Sequence, residues 1–84
     1  MSQLTITIDS DSTVVVVPAI TESFTTGQVV EIISIYDNPA ESLVQAEVDG
    51  IGIIKLDSLS DGNYVTNWTN SQVATAVKNY IQTS

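Results

Sequence analysis

Neither cysteine nor histidine occurs in this chain, and only two residues, Lys55 and Lys78, are basic. Without cysteine there are no disulfides and no thiolate nucleophiles, and the commonest soft metal ligands are missing with them. Without histidine, acid–base chemistry near neutral pH falls to carboxylates, Tyr or Lys. The shortage of bases, more than an excess of acids, produces the net charge of −8. A cationic patch for phosphate backbones or anionic lipid is therefore lacking, and direct nucleic-acid binding and membrane-surface binding are not expected. Charged residues of both signs make up 14% of the chain, against about 25% in typical domains, so neutral Ser, Thr, Asn and Gln carry most of the polar character.

No apolar run reaches the roughly 20 residues that span a bilayer. The start, MSQLTITIDSDS, lacks the basic residues and apolar core of a secretory signal. The expected location is intracellular or within a viral particle. At 84 residues the chain reads as one small domain, at a size where a single core leaves only marginal stability. With disulfides and thiolate metal sites excluded, association with other subunits is the expected compensation.

What is present is β-branched residues in quantity. The stretch from Gln28 to Leu56 reads as a three-stranded meander. Val29 to Tyr36 forms the first strand because stiff β-branched side chains suit a pleated backbone. Asp37-Asn38-Pro39-Ala40 ends it, since proline has no N–H for a ladder. The second strand begins near Ser42, with Val44, Ala46 and Val48 alternating against Gln45 and Glu47. Asp49-Gly50 then predicts a two-residue hairpin turn with Val48 opposite Ile51. That register puts Val44, Ala46, Val48, Ile51 and Ile53 on one face, and Leu43, Gln45, Glu47, Gly52, Ile54 and Leu56 on the other.

Before the meander, Leu4, Ile6 and Ile8 alternate with polar residues and predict a short strand. The turn Asp9 to Ser12 leads to an apolar run from Thr13 to Val17, closed by Pro18. Val14, Val15, Val16 and Val17 need a cover, having high β-propensity and no charge. Ala19 to Gly27 reads as an irregular connector holding Ile20 and Phe24. Residues 1–26 either fold back as an N-terminal hairpin or extend as an arm to a neighbour.

After the meander, Asp61-Gly62-Asn63 signals a turn and Tyr64-Val65 a short strand. Thr69 to Gln72 spells a capping box, flanked by Trp68 and Val73 in the positions of a hydrophobic staple. A helix over about 70–82 follows, with Val73, Ala76, Val77, Tyr80 and Ile81 on its apolar stripe and Gln72, Thr75, Lys78 and Asn79 toward water. The fold class is α+β: a small, mainly antiparallel sheet, built from the N-terminal hairpin and the meander over 28–56, with one C-terminal helix packed on it.

Chemistry is harder to find. The pairs Asp9/Asp11 and Asp57/Asp61 sit in Ser- and Gly-rich turns, where carboxylates bond nearby backbone N–H groups. Neither turn has the ligand spacing of a calcium loop. Asn67-Trp68-Thr69 matches a glycosylation sequon in a chain without a secretory context. No phosphate-binding loop or nucleophile elbow occurs. No catalytic, cofactor or metal residue is expected, and the chain reads as non-enzymatic.

The expectation is a structural or interaction subunit of a larger assembly, for instance a decoration or connector component of a phage virion, with other protein subunits or copies of itself as partners. Val14, Val15, Val16, Val17, Phe24, Leu43, Ile54, Leu56 and Trp68 are the candidate contact residues, Trp68 because tryptophan is enriched at interfaces. The rival reading is an acidic mimic of nucleic acid that occupies a basic groove, for which the charge has the right sign but the carboxylates are widely spaced.

Overall fold

The computed structural model describes residues 4–16, 20–59 and 63–83; Val17, Pro18 and Asp61-Gly62 lie outside them. The elements in order are β1 (Leu4–Thr7), β2 (Ser12–Val16), β3 (Ile20–Phe24), β4 (Val29–Asn38), a 3₁₀ turn (Pro39–Glu41), β5 (Leu43–Val48), β6 (Gly52–Leu56) and α1 (Asn70–Thr83). Four strands form one antiparallel sheet in the order β1-β4-β5-β6, and β2 and β3 form a separate two-stranded ribbon. Helix α1 packs on β1, β2, β5 and β6. The expected α+β class is the observed one.

The meander forms as read, but its register differs. Val48 pairs with Gly52, Ala46 with Ile54 and Val44 with Leu56. The loop has three residues rather than two: Ile51 N–H donates to the Val48 carbonyl at 3.0 Å, with Gly50 at φ +82 and Gly52 at φ +111. Asp49 keeps a negative φ, so the turn is not the type expected for Asp-Gly, which needs positive φ at both central residues. A slip of one residue exchanges the faces of a strand. Ile54 and Leu56 therefore point into the core and Ile53 points out, the reverse of the sequence expectation. Ile51 stays buried, in the loop itself.

A bulge at Ile33 does the same service for β4. The pairing steps from Ile32↔Val48 to Ser34↔Glu47, leaving Ile33 as the extra residue. Val30 and Ile32 face inward before it, and Ile35 packs against the core after it. A bulge changes the parity of the strand, so Ser34 and Tyr36 face outward with Gln45 and Glu47, instead of following Ile32 into the core.

Two expectations for the N-terminal region are corrected. The ribbon pairs β2 with β3, so 19–27 is not wholly irregular: Ile20 to Phe24 is a strand whose alternation is masked by Glu22 on its inward side. The first strand does not join that hairpin but pairs with β4, Leu4 opposite Ile32 and Ile6 opposite Val30. Ile8 extends this pairing by bonds with Gln28 and Gly27. Near the helix, Tyr64 and Val65 form no strand; Asn63 makes an isolated bridge and its carbonyl accepts from Leu59 N–H at 3.0 Å.

The helix begins on the capping box: Thr69 Oγ1 accepts from Gln72 N–H at 3.3 Å, and Gln72 Oε1 accepts from Thr69 N–H at 2.8 Å. Val73, Val77 and Ile81 are fully buried, and Trp68 and Tyr80 lie against the same core. Its last turns are tied to the N-terminal half of the chain. Lys78 Nζ pairs with Asp9 at 2.9 Å, and the Tyr80 hydroxyl donates to the Val15 carbonyl at 3.1 Å. The N–H groups of Asp9 and Ser10 both converge at 2.7 Å on one Gln82 side-chain amide atom, which is therefore its oxygen.

Candidate functional site

The carboxylates do not assemble into a centre. Asp9 is held by Lys78, and Asp11 accepts from Thr26 N–H at 2.8 Å and Thr26 Oγ1 at 3.1 Å, which ties the β1–β2 turn to the β3–β4 turn. Asp57 accepts from the adjacent Ser58 hydroxyl at 3.3 Å. These are turn-stabilising roles, and Asp61 lies outside the described residues. Asp37 accepts from the Tyr64 hydroxyl at 2.7 Å, a bond that raises the Tyr64 phenol above its usual value of 10.0, with smaller contributions from desolvation and from the charge of Asp37. Among the described residues no three acids lie close enough to hold a metal ion, and no helix is long and apolar enough to cross a membrane.

Two grooves flank the helix. One of about 190 Å³, between β6 and α1, is lined by Lys55, Leu56, Asp57, Ser58, Ala76, Asn79 and Tyr80. Its Tyr80 hydroxyl is committed to Val15. The other, of about 300 Å³, separates β1 from α1 and is bordered by the Lys78–Asp9 ion pair. Both are at or below the lower end of the range for small-molecule sites.

The candidate contact residues divide sharply. Val14, Val16, Phe24, Ile54 and Leu56 are buried in the chain's own core, so their apolar surface is already spent. Val17 lies outside the described residues. Trp68 is half-buried against the core, its indole Nε1–H enclosed and without a hydrogen-bond partner among the described residues. Val15, 54% exposed, offers surface outward, as does half-buried Leu43 on the outer face of β5.

The large exposed apolar side chains lie chiefly where the sequence reading did not put them. Helix α1 and the β2–β3 ribbon both cover the inner face of the four-stranded sheet, and Gly52, on that face, lies under the ribbon: a Cβ there would meet Val16 at 3.9 Å. No described element covers the outer face. It carries Val29, Ile33, Tyr36 and Ile53, all substantially exposed, together with Leu43. Register fixes their arrangement: Ile33 and Ser34 stand beside Glu47, which faces Ile53, and Tyr36 stands opposite Gln45, which faces Lys55. With strands about 4.8 Å apart, Ile33 and Ile53 flank Glu47 at about 10 Å from one another. The result is an apolar surface divided by a central acid and edged by Glu31 and Lys55. Its signals in the sequence were the surplus isoleucine in Ile32-Ile33 and the second glycine in Gly50-Ile51-Gly52.

No family model, curated protein or solved structure matches this chain.

Proposed function

We propose that this protein is a non-enzymatic interaction subunit that docks to another protein through the outer face of its four-stranded sheet. The observation that carries the reading is the grouping of Val29, Ile33, Tyr36 and Ile53 on the one sheet face without a cover among the described elements. Scattered exposed apolar residues are ordinary, whereas several on one face mark a contact surface. The aromatic Tyr36 among β-branched neighbours is the composition of an interface centre. A structural place in a larger assembly, such as a small component of a viral particle, fits a chain that has neither histidine nor cysteine to offer for chemistry.

The nucleic-acid mimic has less support. Asp9, Asp11 and Asp37 are engaged within the chain, and the other described acids are distributed over strands and turns of both sheets. Such a spread does not imitate closely spaced phosphates.

Site-specific photo-crosslinking in the producing cell tests the proposal. A crosslinker at Tyr36 or Ile53 should capture one discrete protein partner, and one at the exposed helix residue Thr75 should not. Equal capture from all three positions, or none from the sheet, refutes it. Light scattering at several salt concentrations separates the rival. A monomer that displaces DNA from a basic protein, and loses this ability with added salt, is a mimic.

A further inference from the structure

Strand β3 has β2 as its one substantial neighbour among the described elements, and none of them pairs with its other edge. Which backbone groups point there follows from two hydrogen bonds. The Val15 carbonyl accepts from Tyr80, so Val15 turns its polar groups toward the helix and away from β3. In an antiparallel ladder the residues of such a pair both turn outward, and the pattern repeats every second residue. Thr21, the partner of Val15, and Ser23, the partner of Thr13, therefore aim their N–H and C=O at that other edge. Thr25 continues the series, its N–H donating to Gln28 Oε1 rather than to β2.

Between the two outward-facing residues stands Glu22, half-buried and on the inward side with Val14, Ile20 and Phe24. An inward-pointing charge on an edge strand is a known guard against unwanted pairing. Here it discriminates. If β3 paired with β3 of a second copy in the register that uses both Thr21 and Ser23, Glu22 would face its own counterpart in a non-hydrogen-bonded pair, with Cα atoms about 4.5 Å apart. Two chains each of charge −8 repel at longer range as well.

We propose that the β3 edge is a strand-addition site for an extended segment of a cationic partner, with Lys or Arg opposite Glu22. The segment runs antiparallel to β3 and exchanges hydrogen bonds with Thr21 and Ser23. Two positions from its basic residue, a small apolar side chain covers Ile20, which is 39% exposed at the ribbon's end. The site uses no residue of the outer sheet face, so its failure would leave the docking proposal standing, and the reverse.

The test is a titration of the ¹⁵N-labelled full chain with the peptide acetyl-Val-Thr-Lys-Thr-Val-amide, and with its counterpart carrying Glu in place of Lys, followed by amide NMR. Shifts confined to residues 20–24, slowed exchange of the Thr21 and Ser23 amides, and roughly tenfold tighter binding of the Lys peptide are expected. Glu22→Gln should remove most of that preference and Glu22→Lys should reverse it. Shifts elsewhere, no shifts, equal binding of the two peptides, or a preference that survives Glu22→Gln overturns the proposal.

Discussion

Truncating Ile53 and Ile54 one at a time is the most direct test of the hairpin register, because the two neighbours exchange roles when the register slips by a residue. Ile54 is 1% exposed and Ile53 is 41% exposed. Changing Ile to Ala deletes about three carbons, at about 0.8 kcal/mol each when fully buried. For Ile54→Ala this transfer cost of about 2.4 kcal/mol is joined by a cavity in the core, bringing the total to roughly 3–4 kcal/mol. For Ile53→Ala only the covered part of the side chain counts and no cavity forms, so the cost is about 1 kcal/mol. An 84-residue domain holds roughly 4–13 kcal/mol in total. Ile54→Ala therefore removes a large share of the stability, and its melting temperature should fall by roughly 15–25 °C. Urea unfolding followed by fluorescence of Trp68, the only tryptophan in the sequence, measures both variants against the parent. A cost for Ile53→Ala equal to or above that of Ile54→Ala would mean that Val48 pairs with Ile51 after all, and the outer-face surface would lose Ile53.

Further outcomes follow from the contacts around the helix and at Tyr64. Thr69→Ala breaks the capping box and should cost about 1 kcal/mol in the same urea assay. Lys78→Ala should cost under about 1 kcal/mol, since its pair with Asp9 is substantially exposed, and that cost should vanish near 1 M salt. Gln82→Ala leaves two backbone N–H groups without their acceptor; its cost, about 1 kcal/mol, should persist at the same salt concentration. The Tyr64 phenol should titrate above 10.0 by tyrosinate absorbance, and Asp37→Asn should bring it back toward that value. Because the folded value is the raised one, the stabilisation from this bond is fully present below pH 10.0 and is lost as pH climbs through the folded value.

Elements set by local chemistry were legible in the sequence. Thr69 and Gln72 bond as their spacing implies, and Val73, Val77 and Ile81 bury as their period implies. Strand partners and registers, which long-range pairing sets, were not, although β1, β2 and the three meander strands were. Ile20 to Phe24 has an acid at its centre and reads as a loop until β2 lies beside it. Asp49-Gly50 pointed to the commoner two-residue turn, while Gly52 supplies the positive φ that lengthens the loop. From that single residue followed the wrong face for Ile53, Ile54 and Leu56. The contact residues inferred from apolarity alone consequently proved to be mostly core, since burial and docking draw on the same side chains and only register tells them apart.

The scarcity of staples had suggested a chain dependent on neighbours for its stability. Its accessible surface is 4896 Å², against about 4,850 Å² for a folded monomer of 9.0 kDa. Its Cα radius of gyration is 11.9 Å, against about 12 Å for this length. The inner core thus closes within one chain: α1 reaches both edge strands of the sheet, and the β2–β3 ribbon closes over β6. On the reading proposed above, a partner uses surface that folding leaves over, and among the described residues the outer sheet face and the β3 edge are two such surfaces. The first offers side chains and the second offers backbone. A substitution on either should weaken binding while changing folding stability by no more than about 1 kcal/mol, a separation that a chain stabilised only by its assembly could not display.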